Sequence, residues 1–137
     1  MKKIAFFVYS TLLCFGFLLS GCDPMQYIVI ENQTRQPALV TMVFHNAGGL
    51  YDLAPDSDAD TLRIPLDTTA TGNSVHYRFG IGTWRTAYAL DSLAANIASI
   101  RIESNESVEI YREEAVKPFL KDRLRGAFKQ LIHIRIE

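Results

Sequence analysis

Short stretches that alternate apolar and polar residues, separated by turn-forming segments, most constrain the fold of this chain. In residues 75–81, Val75, Tyr77, Phe79 and Ile81 alternate with polar residues or glycine. A period of two places successive side chains on opposite faces of a strand, so this stretch predicts a strand with one buried face. The same period predicts a strand at residues 62–66, a hairpin at residues 97–112 and a terminal strand at residues 132–136.

Two more strands are predicted from apolar runs, at residues 27–30 and 38–44. Such runs are typical of strands that are buried on both faces. The polar segment 32–37 between them favours a turn, so the two strands are expected to form a hairpin.

Two helices are predicted near the C-terminal half of the chain. Residues 90–95 favour a short helix. In the second, Pro118 suits the first turn and Gly126 suits the C-terminal cap. Its residues Lys117, Lys121 and Arg125 are spaced by four and predict a basic stripe.

About seven short strands with one or two short helices favour a mainly β fold, an antiparallel two-sheet sandwich. An α+β fold, with the helices on one face of a sheet, is the alternative.

The N-terminal segment has a different character. Lys2 and Lys3 precede an apolar run at residues 4–19, and the four residues 19–22 read Leu-Ser-Gly-Cys. A basic start, a short apolar region and small residues before a cleavage point are typical of a secretory signal rather than a membrane span. The motif at residues 19–22 resembles the lipobox of bacterial lipoproteins.

This resemblance implies a lipid anchor on Cys22. Residues 1–21 would be a signal peptide, and Cys22 would receive a diacylglycerol and then an acyl chain such as palmitate. Residues 22–26 would form a lipidated tether, and residues 27–137 a single domain held at a membrane of the cell envelope. The outer membrane is favoured, with the leaflet and orientation left open.

Charge and cysteine content exclude several functions. Of 14 Lys and Arg residues, two would leave with the signal, so 12 would face 15 Asp and Glu. That balance gives no drive toward nucleic acid. Of the two cysteines, Cys14 would be removed and Cys22 would carry lipid. Disulfides, thiolate metal sites and a cysteine nucleophile are therefore not expected.

An acidic loop offers a candidate metal site. Asp56, Asp58 and Asp60 alternate, and Asp67 follows eleven residues after Asp56, as carboxylates do in a calcium-binding loop. Thr61 stands where such a loop needs glycine, so a solvated acidic loop is the favoured interpretation. A looser calcium site that uses some of Asp52, Asp56, Asp58 and Asp60 is the alternative.

Trp84 is the candidate ligand contact. It follows Gly80 and Gly82 at the end of the clearest strand, where an indole can stack on a sugar. The more common role of a tryptophan in such a place is to close one end of a sandwich core.

Residues 79–84, residues 96–102 and the closing helix and strand resemble small uncharacterised lipoproteins of Bacteroidota. That resemblance implies no activity, cofactor or catalytic residue. The expected function is a non-enzymatic structural or interaction module that binds an envelope protein. The alternative is a module that binds glycan or calcium through Trp84 or the loop at Asp56, Asp58 and Asp60.

Overall fold

The computed structural model describes residues 24–46, 60–69, 73–84 and 87–137, and these form a mainly β, two-sheet sandwich with two short helices. The fold class predicted from the sequence is confirmed. The elements in chain order are β1 (Met25–Asn32), β2 (Ala38–Phe44), β3 (Thr61–Leu66), β4 (Ser74–Ile81), α1 (Ala87–Asn96), β5 (Ile97–Glu103), β6 (Val108–Arg112), a 3₁₀ turn (Glu113–Ala115), α2 (Val116–Asp122), β7 (Leu124–Arg125) and β8 (Leu131–Ile136). In this described part of the chain, none of the helices has the length and apolar character to cross a membrane.

The first sheet has the order β4-β1-β8-β7, and the second has the order β3-β2-β5-β6. In the first sheet, β1 pairs antiparallel with β4 and parallel with β8. Its fourth strand, β7, pairs with β8 over two residues. The second sheet is antiparallel throughout. The predicted hairpin at residues 97–112 is confirmed as β5 and β6.

The predicted hairpin of the first two strands is wrong, because β1 and β2 belong to different sheets. The turn between them is present, but it carries the chain from one sheet to the other. Two apolar strands joined by a short turn can either pair or face each other across a core, and here the partners β4 and β8 already occupy both edges of β1.

Asn32 fixes this turn from inside the protein. Its side chain is 2% exposed. Its Nδ2 donates to the carbonyls of Gln36 at 2.8 Å and Asp67 at 3.3 Å. Its Oδ1 accepts from the backbone N–H and the hydroxyl of Thr34 at 3.0 and 2.7 Å. One buried amide therefore joins the turn between the sheets to the segment that follows β3.

The core draws on both sheets and both helices. In β2 the alternation is complete, because every second residue from Ala38 to Phe44 is buried. The buried apolar residues that contribute most to this cluster are Ile28, Ile30, Val40, Met42, Phe44, Ile64, Leu66, Trp84, Leu90, Leu93, Ile97, Ile100, Ile102, Val116, Phe119, Leu120, Ile132, Ile134 and Ile136.

The two ends of the sandwich differ. We call the end at which β1 and β8 begin and β4 ends the base, and the end that carries Asn32 the apex. Helix α1 crosses the base. Just before it, the N–H of Trp84 donates to the carbonyl of Lys129 beside the first sheet. At its end, the carbonyl of Asn96 accepts from the N–H of His45, which follows β2 of the second sheet. The helix buries Leu90 and Leu93, which are three residues apart on one face.

Helix α2 closes one side of the sandwich, because it follows β6 of the second sheet and leads into β7 of the first. It begins at Val116 and ends at Asp122, so Pro118 lies in its first turn, as predicted.

The predicted helix cap at Gly126 is wrong. Gly126 has φ 85° and lies in the turn between β7 and β8, where a Cβ atom would come 2.5 Å from Oε1 of Gln130. The glycine is required by this turn, because an L side chain is strained at that φ.

We predict that Asn32→Ala lowers the free energy of unfolding by about 1–3 kcal/mol, the cost of leaving buried polar groups without a partner. The carbonyl of Gln36 and the N–H of Thr34 would lose their hydrogen bonds to the Asn32 side chain. Chemical denaturation of the two proteins measures the difference.

Asn105→Ala is the matched control, because Asn105 is exposed in the turn between β5 and β6. Its effect is expected to stay within about 0.5 kcal/mol. Equal effects of the two substitutions would contradict the role of Asn32.

Candidate functional site

A polar groove runs between the edges of the two sheets, on the side of the sandwich that α2 closes. It lies between α2 and the apex. Its volume is about 390 Å³. One wall comes from the second sheet, with Ser107 and Glu109. The other comes from the first sheet, with His133 and Arg135, and Arg123 lies between α2 and β7. The groove therefore brings together residues from three separate parts of the chain.

Arg123 forms a rigid part of this groove. Its guanidinium carbon lies 3.6 Å from the centre of the Phe119 ring, and Nη1 donates to the carbonyl of Phe119 at 3.1 Å. Tyr111 packs on the same ring, with 4.0 Å between the ring centres. A stacked and hydrogen-bonded arginine loses little further freedom on binding, so this wall is preorganised.

Tyr111 is tied to the groove through Glu109. Its hydroxyl donates to Oε2 of Glu109 at 2.6 Å. This hydrogen bond, together with partial burial and the negative charge of Glu109, raises the pKa of the Tyr111 hydroxyl, against a lowering by Arg123.

A charged cluster flanks the groove on the outer face of the first sheet. Nε2 of His133 lies 2.8 Å from Oε2 of Glu31, and Nε of Arg135 lies 3.9 Å from the same oxygen. The imidazole is 14% exposed, so the His133–Glu31 contact is partly protected from solvent. The parallel register of β1 and β8, in which Glu31 is opposite Arg135, produces this cluster.

The edge of β8 is only half covered. β7 pairs with β8 at Leu131 and Ile132, and the N–H of His133 donates to the carbonyl of Arg123. Backbone groups alternate in direction along a strand, so the N–H and C=O of Arg135 point to the same side as those of His133. Among the described residues, no strand pairs with Arg135 on that side. The groove thus exposes a short length of unpaired strand edge.

The hydroxyl and imidazole groups of this region belong to separate networks. The Ser107 hydroxyl lies 3.2 Å from the Ser104 hydroxyl within the turn between β5 and β6. The imidazole of His133 contacts Glu31 on the neighbouring strand β1 of the first sheet. A serine nucleophile requires a base within hydrogen-bond reach, and these contacts do not supply that pairing.

Trp84, the predicted ligand contact, lies at the base. The indole is 3% exposed, and Nε1 donates to the carbonyl of Tyr27 at 3.3 Å. Its ring meets Phe79 edge-on, with 5.4 Å between centres. These contacts agree with the interpretation that Trp84 closes one end of the core. In this conformation the ring has little surface on which a sugar can stack.

Most of the candidate calcium loop, including Asp52, Asp56 and Asp58, lies outside the described residues. Asp60 accepts a hydrogen bond from the Thr61 hydroxyl at 2.9 Å. Strand β3 then separates Asp60 from Asp67, a distance of about 20 Å for six residues, so Asp67 cannot complete a loop around the same ion. Within the described ranges there is no group of three metal-ligating side chains.

The predicted basic stripe is interrupted. Nζ of Lys117 lies 2.8 Å from Oδ1 of Asp91 on α1, and Arg125 lies in β7, beyond the end of α2. The Glu31–His133–Arg135 cluster, by contrast, was not predicted. The alternation in residues 131–136 places His133 and Arg135 on one face, but nothing local to either segment indicates that β8 pairs with β1.

Comparison with protein-family models, curated proteins and solved structures gives no match to this chain.

We predict that Glu109→Gln lowers the pKa of Tyr111 toward its ordinary value, because the neutral amide keeps an acceptor but removes the negative charge. An NMR titration of the tyrosine ring carbons measures the pKa.

Glu106→Gln is the control, since Glu106 is exposed in the neighbouring turn. It is expected to leave the Tyr111 pKa unchanged. A Tyr111 pKa that does not respond to Glu109→Gln would show that the hydrogen bond to Glu109 does not hold in solution.

Proposed function

We propose that this chain is a lipid-anchored lipoprotein of the bacterial cell envelope that acts without catalysis, as a protein-interaction module. The anchor is supported by the lipobox at residues 19–22, in which Cys22 accepts the lipid. The interaction is supported by the half-covered edge of β8 in the polar groove, and this single observation carries the proposal.

The groove suits an extended segment of a partner protein. An added strand would pair with the N–H and C=O of Arg135 and continue the first sheet past β7. Main-chain hydrogen bonds of this kind supply affinity, and the flanking side chains supply selectivity. Here Glu109 on the second-sheet wall and Arg123 at the end of α2 carry opposite charges, which favours a segment with charged side chains of both signs.

The lipid would position the groove as well as retain the protein. Buried acyl carbons contribute about 0.8 kcal/mol per methylene, so several chains on Cys22 would make release from the membrane negligible. The domain begins at Met25, only three residues later, and a partner must therefore lie close to the same membrane.

The anchor is tested by two cysteine variants of the full chain. In a bacterial host that is fed a clickable palmitate analogue, we expect Cys22→Ser to abolish both labelling and sedimentation with membranes. Cys14→Ser is the matched control and should retain both, because Cys14 lies in the segment that is removed. Equal labelling of the two variants would overturn the anchor.

The interaction is tested by site-specific photo-crosslinking in native envelopes. A benzophenone side chain in place of Ser107, on the groove wall, should give a discrete adduct with another protein. The same side chain in place of Arg63, exposed on the far edge strand β3, should not.

Two substitutions of Arg135 separate strand addition from contacts of the side chain. Arg135→Pro removes the N–H that faces the groove, and an edge strand tolerates proline there, so the adduct should disappear. Arg135→Ala keeps the N–H and should preserve the adduct. Equal adducts from Ser107 and Arg63 positions, or an adduct that survives Arg135→Pro, would contradict strand addition.

A further inference from the structure

We propose that the base of the domain itself contacts the lipid surface, through a rim of exposed apolar side chains on the side of the first sheet. This inference rests on the proposed lipid anchor and adds a second, protein-borne contact to it. The rim consists of Met25, Ile81, Tyr88 and Phe128.

All four are large apolar or aromatic side chains that are exposed to solvent. Their exposed fractions are 37% for Met25, 64% for Ile81, 84% for Tyr88 and 64% for Phe128. Scattered single residues of this kind are ordinary on protein surfaces, but a group at one end marks a contact surface.

The strand register places the group at the base. Met25 at the start of β1 is opposite Ile81 at the end of β4, and cross-strand partners lie on the same face. Gly82 donates from its N–H to the carbonyl of Pro24 at 2.7 Å, which holds the two strand ends together.

The other two residues of the rim are brought to the same end by separate contacts. Phe128 lies in the turn that precedes β8, and the N–H of Tyr27 donates to the carbonyl of Gln130 in that turn. Tyr88 lies in the first turn of α1, where it lines a shallow cavity of about 220 Å³ with Gln26 and Trp84. All four therefore surround the start of β1.

The position of the lipid identifies the occupant. Cys22 precedes Met25 by three residues, which span at most about 11 Å when fully extended. The end of the sandwich that carries Met25 is thus the end held against the membrane. A protein partner at this end would have to displace the lipid surface that the anchor brings there.

The charges near the rim fit a membrane interface. Lys129 follows Phe128 in the turn between β7 and β8, and Arg125 ends β7 three residues before Phe128, where it also lines the polar groove. Apolar side chains flanked by Lys and Arg bind at the headgroup level, and anionic lipids strengthen that binding. The acidic residues Glu113 and Glu114 follow β6 of the second sheet, so they lie toward the other side of the base.

The test uses the full chain, lipidated in cells and reconstituted into vesicles of phosphatidylethanolamine and phosphatidylglycerol. Because Cys22 would be blocked by lipid, a new cysteine is the sole free thiol and accepts a nitroxide label. Labels are placed by Ile81→Cys and Phe128→Cys. Collisions with oxygen, which concentrates in the bilayer, and with a water-soluble nickel chelate report the surroundings of each label.

Val108→Cys is the matched control. Val108 is 54% exposed, similar to the rim residues, but it is opposite Glu103 at the apex. We expect the ratio of oxygen to nickel collisions to be several-fold higher at positions 81 and 128 than at position 108. Replacing phosphatidylglycerol by phosphatidylcholine should reduce that difference.

Vesicle flotation separates the two proposals. If the protein floats with the vesicles but the labels at 81 and 128 behave like that at 108, the anchor stands and the rim contact is wrong. If the protein does not float, the anchor fails. A difference between base and apex that appears only in native envelopes, and not in pure lipid, would assign the rim to a protein and overturn the proposal.

Discussion

The parallel pairing of β1 with β8 is the constraint on which the rest of the structure depends. It joins the first and last described strands and leaves β1 with a neighbour on both edges. Two parallel strands begin at the same end of a sheet, so the turn that precedes β8 must return to the end at which the domain starts. The base is defined by that requirement, which also brings Gln130 within hydrogen-bond distance of Tyr27.

The same pairing explains why a groove exists. The chain must leave the second sheet after β6 and enter the first sheet beside β8, and α2 makes this crossing. β7 covers only the first residues of β8, because the chain arrives from α2 near the middle of the sandwich and turns at Gly126. The upper half of β8 then faces the edge of β6 without a strand between them. Arg123 and Tyr111 both pack on the Phe119 ring, which ties the end of α2 to β6 at the wall of the groove.

The two proposed surfaces lie at different places and have different chemistry. The rim at the base is apolar with Lys and Arg beside it, which suits a headgroup layer. The groove between the sheets is polar and presents backbone groups, which suits an extended polypeptide. With the proposed anchor on Cys22, Met25 would follow the lipidated residue by only three positions, so contact at the base would hold the groove at a fixed orientation to the membrane. The anchor and the rim would then hold the domain so that the groove presents its strand edge to a protein at the same membrane.

The sequence alone determined the local structure, because its signals are local. The alternation in residues 75–81 and 132–136 predicted strands, residues 90–95 predicted α1, and the mainly β sandwich followed from their number. Contacts between segments far apart in the chain could not be predicted from the sequence. The turn at residues 32–37 was recognised, yet only the buried Asn32 and the two partners of β1 decided that it joins two sheets rather than two strands of one. The Glu31–His133 contact joins residues 102 positions apart in the chain. The alternation within each strand gives no information on which distant strand it pairs with. What the sequence determined is which segments form strands, and its motif at residues 19–22 is the basis for proposing a lipid on Cys22. The tertiary structure decided which edges stay open and which exposed side chains share an end, because strand pairing is chosen by the whole core and not by any one segment.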